Sequence, residues 1–370
     1  MLKPLYLLIL LSLHVALGGL ATTPYGEGGA FIQYTLNSYI VILRIQSSVV
    51  NVGDKAVPLP TSDLLYFNYP LNTSDQTVYG AQAWINNARH SYRIERDDHS
   101  PLLVIEDQKL PDTLKPNETI ITGVEYIVGV NISKRLSSII DFQVAEDPYE
   151  LLDKAGGWRD LEGYANETIT GATKIWNYTH PLVMLLVKYL TRSLASDKPL
   201  GYLLSILEWI QDNVDYSIRV PPRYPWEVIV EGAGDCDDQS NLIIALLRSQ
   251  GVPSYLEIGY VFLHPDYRYS HVEASGYYSF EFRGGGGHGW VTAYIPPWGW
   301  IRVDPVLSSL GPLPRVAIKY ALYYIQATVV VSRIFKGDYI LETAEAIEEA
   351  KAEKLKLHIV IEVNAYSREE

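Results

Sequence analysis

Gly232-Ala233-Gly234-Asp235-Cys236-Asp237-Asp238 is the stretch on which the reading of this chain turns. Its glycines permit a tight turn, Asp235 is a residue type that caps helix N-termini, and the apolar spacing that follows predicts a helix over about residues 236–250, stopped by Gly251 and Pro253. Cys236 then occupies the first helical turn. Backbone N–H groups and the helix dipole favour a thiolate there, and the same amides can hold an oxyanion. The three flanking carboxylates act in the opposite sense, because like charges raise a thiol pKa. A compensating cation is therefore expected. An imidazolium is one solution; calcium held by oxygens of Asp235, Asp237 and Asp238 is another. The plain alternative is that Asp235 and Asp238 only cap the helix.

Downstream, Pro296-Pro297-Trp298-Gly299 reads as the turn of a hairpin. Pairing Tyr294 with Trp300 sets Trp290 opposite Asp304 and brings His288 to the same face two residues along. A slip of one residue would separate His288 from Asp304. In this register Cys236 is the nucleophile, His288 the base and later acid, and Asp304 the group that orients the ring. No metal is required for that chemistry. His90, His99, His180, His264 and His271 are competitors for the base, with His264 and His271 in a polar, Tyr-rich segment. Gly284 to Gly287 reads as a lid, a point of close substrate approach, or a plain surface loop.

Upstream, Leu182, Leu185, Leu186, Tyr189 and Leu190 recur at helical spacing, as do Leu200, Leu203, Leu204, Leu207 and Ile210, with Pro181 and Pro199 at the two starts. Before residue 140 the pattern alternates instead, as in Tyr39–Leu43 and Thr122–Val128, and predicts an all-β, sandwich-like region. After Pro314 come an apolar stretch, an acidic helix near Glu342–Lys356 and a strand near Leu357–Val363. The expected organisation is residues 1–21 as a signal peptide or N-terminal anchor, 22–140 as a β-sandwich-like domain, 141–312 as the catalytic domain, and 313–370 as a helix and strand extension.

Taken in order, Gly-x-Gly-Asp-Cys236-Asp-Asp, Leu246-Leu247-Arg248-Ser249-Gln250-Gly251-Val252-Pro253, His288-Gly-Trp290 and Gly299-Trp300-Ile-Arg-Val303-Asp304-Pro305 resemble the transglutaminase-like superfamily, above all its archaeal and bacterial exported members. The resemblance implies an α+β fold: a papain/transglutaminase-like core carrying a Cys-His-Asp triad at Cys236, His288 and Asp304, preceded by a β-sandwich. It implies hydrolysis of peptide or protein amides, or acyl transfer to amines, through a thioester. Asp235, Asp237 and Asp238 are similar to an acidic string in calcium-dependent periplasmic proteases of the superfamily. Tyr216 matches a Tyr common before the Cys and is expected near the oxyanion, with Trp226 and Trp290 near the cleft. A non-catalytic surface module that keeps the fold is the other class of function.

Composition bounds the rest. The chain has 370 residues and a formal charge of −13, with no cationic run, which excludes nucleic acid as an expected partner. Lys3 followed by the apolar run Leu5–Leu13 and small residues near Ala16–Ala21 reads as an export signal or membrane tether. Five Asn-x-Ser/Thr sites, at Asn72, Asn117, Asn131, Asn166 and Asn177, fit a glycoprotein outside the cell or on its surface, acting on peptide, protein or cell-wall material. The single Cys rules out an intrachain disulfide. Few Cys and Met with many Tyr suit a thermophile.

Overall fold

Alternating β-branched and polar residues become long strands, and the 3.6-residue periodicities become helices. The computed structural model describes residues 38–106, 110–192, 194, 196–262, 270–274, 276–306, 314–323 and 326–368, so the expected signal or anchor segment and His264 lie outside the described residues. The strands of the two main sheets are β1 (Ser38–Asn51), β2 (Gln76–Ile85), β3 (Ala88–His90), β4 (Thr119–Asn131), β5 (Ser254–Phe262), β6 (Ser270–Ala274), β7 (Tyr278–Arg283), β8 (Gly285–Ile295), β9 (Gly299–Val303), β10 (Thr328–Ile334) and β11 (Leu355–Arg368). The helices that frame the site are α1 (Pro181–Leu190), α2 (Pro199–Asn213), α3 (Pro225–Glu231), α4 (Cys236–Ser249), α5 (Pro314–Tyr323) and α6 (Tyr339–Glu353). The fold is α+β, with a β-rich N-terminal region and no barrel among the described residues.

The larger sheet runs β6-β7-β11-β1-β4-β2-β3 and the smaller β9-β8-β5-β10. β11 pairs antiparallel with β1 along its whole length, from Ser38↔Arg368 to Asn51↔Leu355, and parallel with β7 from Tyr278↔Leu357 to Arg283↔Glu362. The C-terminal strand thus lies inside the sheet of the N-terminal region. One hydrophobic core joins both sheets and the helices.

Pro181 and Pro199 occupy the first positions of α1 and α2, where the missing amide proton costs nothing. All five apolar residues expected on α2 are buried. On α1 the buried stripe is Val183, Leu186 and Leu190, while Leu185 and Tyr189 face outward. The expected stripe is therefore displaced, because a helix so rich in apolar residues offers more than one candidate face. In α4 every residue from Cys236 to Arg248 is buried, so this helix lies under β8 and β5 and is packed on all sides.

The glycine run before His288 is neither lid nor surface loop. Gly285 to Gly287 are buried residues of β8 paired with β5. Gly284 has φ +70°, and a Cβ there would meet the Val363 carbonyl oxygen at 2.2 Å; one on Gly285 would meet that of Val261 at 2.0 Å. Backbone from two sheets converges here, which leaves no room for a side chain.

Of the five Asn-x-Ser/Thr asparagines, Asn72, Asn117, Asn131 and Asn166 are exposed and Asn177 is half-buried. Among the described residues no helix is long and apolar enough to cross a membrane.

Candidate active site

The nucleophile's helix is built as its sequence requires. Gly232 ends α3 in the left-handed conformation, and Ala233–Gly234 pairs in parallel with Asp215–Tyr216. Asp235 is the N-cap of α4: its Oδ1 accepts from the Asp238 N–H while Asp238 Oδ2 accepts from the Asp235 N–H, a reciprocal capping box. Cys236 is the first helical residue and has no exposed surface. Its thiol accepts a hydrogen bond from the Gly289 N–H, which places the sulfur beside the backbone that carries His288. Ser240 fastens the same contact by donating to the Gly289 carbonyl at 3.3 Å.

Tyr294 pairs with Trp300 and Val291 with Val303, the register expected from the turn. Trp290 and Asp304 follow directly beyond the Val291–Val303 pair. His288 and Asp304 meet through Nε2 and Oδ2 at 2.6 Å, both fully buried. Asp304 is held from both sides: its backbone N–H donates to the Ala321 carbonyl of α5 at 2.8 Å and its Oδ1 accepts from the Val306 N–H at 3.2 Å. The other imidazole nitrogen, Nδ1, is buried and has no hydrogen-bond partner among the described residues.

Electrostatics around the buried sulfur favour a neutral thiol. Burial pushes the Cys236 thiol well above its ordinary value, and the charges of Asp235 and Asp237 push the same way, against the Gly289 amide. Burial also raises Asp235 well above the carboxylate range, helped by Asp238 and Asp237. Asp238 is pushed up to about 7 by burial and the Asp237 charge, opposed by Arg223. Arg223 donates to it from the backbone N–H at 2.5 Å and from the guanidinium at 2.8 Å.

The carboxyls do not build a calcium cage. Asp238 has both oxygens on Arg223, Asp235 Oδ1 caps the helix, and Asp237 Oδ2 accepts from the Tyr339 hydroxyl at 2.9 Å. That leaves Asp235 Oδ2 and Asp237 Oδ1, buried and without hydrogen-bond partners among the described residues. A carboxyl oxygen of each lies within 4.8 Å of the other and of the Cys236 sulfur. Calcium takes about six to eight oxygens. Two oxygens and a thiol fall well short, whereas one proton shared between the two carboxyls satisfies both.

The three residues expected near the oxyanion and cleft are placed differently from one another. Tyr216 is half-buried on the short strand paired with Ala233–Gly234; burial of its hydroxyl and then the charges of Cys236, Asp235 and Asp237 hold its pKa well above the usual phenol value, so it is a neutral hydroxyl. Trp226 stacks between Tyr224, at 4.5 Å, and His180, at 4.8 Å. Trp290 has no exposed surface: its ring backs the His288 imidazole at 6.0 Å, its Nε1 donates to Glu257 at 3.0 Å, and the Arg302 guanidinium lies 5.5 Å from its centre. It is a platform behind the imidazole. Glu257, Arg223, Asn241 and Tyr339 escaped sequence reasoning; Arg223 and Tyr339 reach the Asp-Cys-Asp-Asp string from 15 and 102 residues away, a separation without a local signal.

Residues 187–305 match the family model of the transglutaminase-like superfamily, so this part of the chain is a transglutaminase-like domain. Among solved structures, the chain is similar to a candidate cysteine protease from Cytophaga hutchinsonii, at 16% identity and TM-score 0.47, over 90% of this chain and 93% of that one. It is also similar to the periplasmic domain of TgpA from Pseudomonas aeruginosa bound to ethylmercury, at 13% identity and TM-score 0.29, over 79% and 96% of the two chains. No curated protein matches.

Proposed function

We propose that this chain is an exported, cysteine-dependent amide hydrolase or acyl transferase that works on peptide or protein amides through Cys236, His288 and Asp304. One observation carries the reading: His288 gives Nε2 to Asp304 at 2.6 Å while its buried Nδ1 keeps no hydrogen-bond partner among the described residues, and the N–H of the next residue, Gly289, donates to the chain's single thiol. A ring fixed in that way holds its proton at Nε2 and offers Nδ1 as a base.

Nδ1 takes the thiol proton as the sulfur attacks the substrate carbonyl, forming a C–S bond and an oxyanion. The Cys236 backbone N–H at the helix start and the Tyr216 hydroxyl are the donors available for that oxygen. Collapse breaks the C–N bond, and the amine leaves with the proton from Nδ1. Water or a second amine then attacks the thioester, its proton passing to Nδ1 and back to the departing sulfur. Cys236 and His288 are fully buried, and exclusion of water from the thioester favours transfer over hydrolysis. Export is supported by the N-terminal apolar run and the five Asn-x-Ser/Thr sites.

The complete burial of Cys236 favours a second reading, a non-catalytic surface module that keeps the fold. Labelling with an electrophilic peptide such as a vinyl sulfone, read by mass spectrometry, separates the two. The catalytic reading expects one adduct on Cys236 that disappears in His288→Ala with the fold intact. Labelling that appears only after denaturation would support the module.

A further inference from the structure

We propose that Tyr339, the first residue of α6, is a positioning residue of the Cys236 site: its hydroxyl proton is aimed at Asp237, so the proton shared by the two flanking carboxyls is held by Asp235. The proposal rests on the cysteine-site reading and adds to it a residue outside the matched domain, since Tyr339 lies beyond residues 187–305.

The direction of the hydrogen bonds is forced by one donor. The Trp176 indole N–H can only donate, and it faces Asn241 Oδ1 at 2.9 Å. That fixes the amide, so Asn241 Nδ2 must donate onward, and it does so to the Tyr339 hydroxyl oxygen at 2.5 Å. With its oxygen already accepting, Tyr339 has one proton to place, and Asp237 Oδ2 stands 2.9 Å away. Trp176, Asn241, Tyr339 and Asp237 are all buried, so no water competes for these bonds. Burial and the neighbouring Asp237 hold the Tyr339 pKa well above the usual phenol value, which keeps it a donor.

The chain ends on Asp237 as an acceptor, which favours its ionised form. Asp237 Oδ1 and Asp235 Oδ2 are the two orphaned oxygens, and a proton on Asp235 turned toward Asp237 satisfies both. Burial raises the Asp237 pKa above the usual carboxylate value, and hydrogen bonds from Asp235 and Tyr339 oppose that rise. One negative charge then flanks the sulfur in place of two. It belongs to the carboxylate that also interacts with His288, where it supports the imidazolium formed when the thiol proton moves. The same turn of α6 is pinned a second time: Asp338 accepts from the Tyr224 hydroxyl at 3.0 Å, and Tyr224 stacks on Trp226. The groups facing Tyr339 and Asp237 in this argument are Asp235, Asp238, Asn241, Cys236 and His288.

The test is the pH dependence of Cys236 alkylation by iodoacetamide in the full chain, comparing wild type with Tyr339→Phe and Asn241→Ala. Losing one hydrogen bond to a charged group moves the acid limb of the profile to higher pH, a fall of about tenfold in rate on that limb. Asn241→Ala, which leaves the Tyr339 donor in place, moves the limb in the same direction by less. Equal midpoints in wild type and Tyr339→Phe, or a uniform fall at every pH, overturn the proposal. Slow wild-type alkylation that is indifferent to His288→Ala defeats the acyl-transfer reading separately, and the midpoint comparison still decides the role of Tyr339.

Discussion

Oδ2 of Asp304 stands 2.6 Å from Nε2 of His288, with both side chains sealed from solvent. A carboxylate at that distance accepts the Nε2 proton and leaves Nδ1 to act as the base. Asn at position 304 can turn an N–H toward Nε2, which drives the ring proton onto Nδ1. Asp304→Asn is therefore expected to cut the rate of Cys236 labelling by about 10²- to 10⁴-fold, the range of general-base contributions, with little change in thermal unfolding. Labelling within threefold of wild type would show that the pair is structural only.

The carboxyl cluster predicts an unusual dependence of stability on pH. Asp235 is raised well above its unfolded value by burial and by Asp238 and Asp237, and Asp238 is raised to about 7. Between the unfolded carboxylate range and about 7 the native state therefore binds more protons than the unfolded state, and stability falls as pH rises through that window. Thermal unfolding should show a higher midpoint near pH 5 than near pH 8, values taken about one unit inside and beyond the window, and Asp235→Asn should flatten the difference. A wild-type midpoint that rises over that interval contradicts the assignment.

Glu257 accepts from Trp290, Arg302 and Arg333, at 3.0, 2.9 and 2.9 Å. Burial raises its pKa, but Arg302 and Arg333 outweigh this and hold it below the usual value. Glu257→Gln keeps the shape and removes the charge that two guanidiniums share. The expected cost is about 3–5 kcal/mol, the penalty for breaking a buried ion pair, measured by urea unfolding with an unchanged m-value. A cost below about 1 kcal/mol would mean that water reaches the cluster.

Asp235, Asp237 and Asp238 are occupied by capping, by Tyr339 and by Arg223. Chelation with EGTA should accordingly leave both the unfolding midpoint and the Cys236 labelling rate unchanged. A drop in midpoint restored by added calcium would place an oxygen cage where the geometry gives none.

Several features were legible in the sequence because they are local. The cap at Asp235, Pro181 and Pro199 at helix starts, and the register around Pro296-Pro297-Trp298-Gly299 each depend on residues within a few positions of one another. From that register alone, His288 and Asp304 could be set on one face. From sequence alone the glycine run before His288 reads as a lid, a point of close substrate approach or a surface loop, because glycine at Gly284 and Gly285 answers to the carbonyls of Val363 and Val261, which no local pattern announces. The α1 stripe was displaced because nearly every position of that helix is apolar. Arg223, Asn241 and Tyr339 have no motif of their own; the fold brings each to the Asp-Cys-Asp-Asp string.

The central claim is that Cys236 is a nucleophile served by His288. Its most direct test is the rate of iodoacetamide alkylation of Cys236 near about pH 7, below the ordinary thiol range, in wild type and in His288→Ala. The account predicts wild-type alkylation at least about tenfold faster than in the variant, with the difference closing as the pH rises past the thiol range. Equal, slow rates in both proteins across the pH range, with both folded, would contradict it and leave a buried, unreactive thiol.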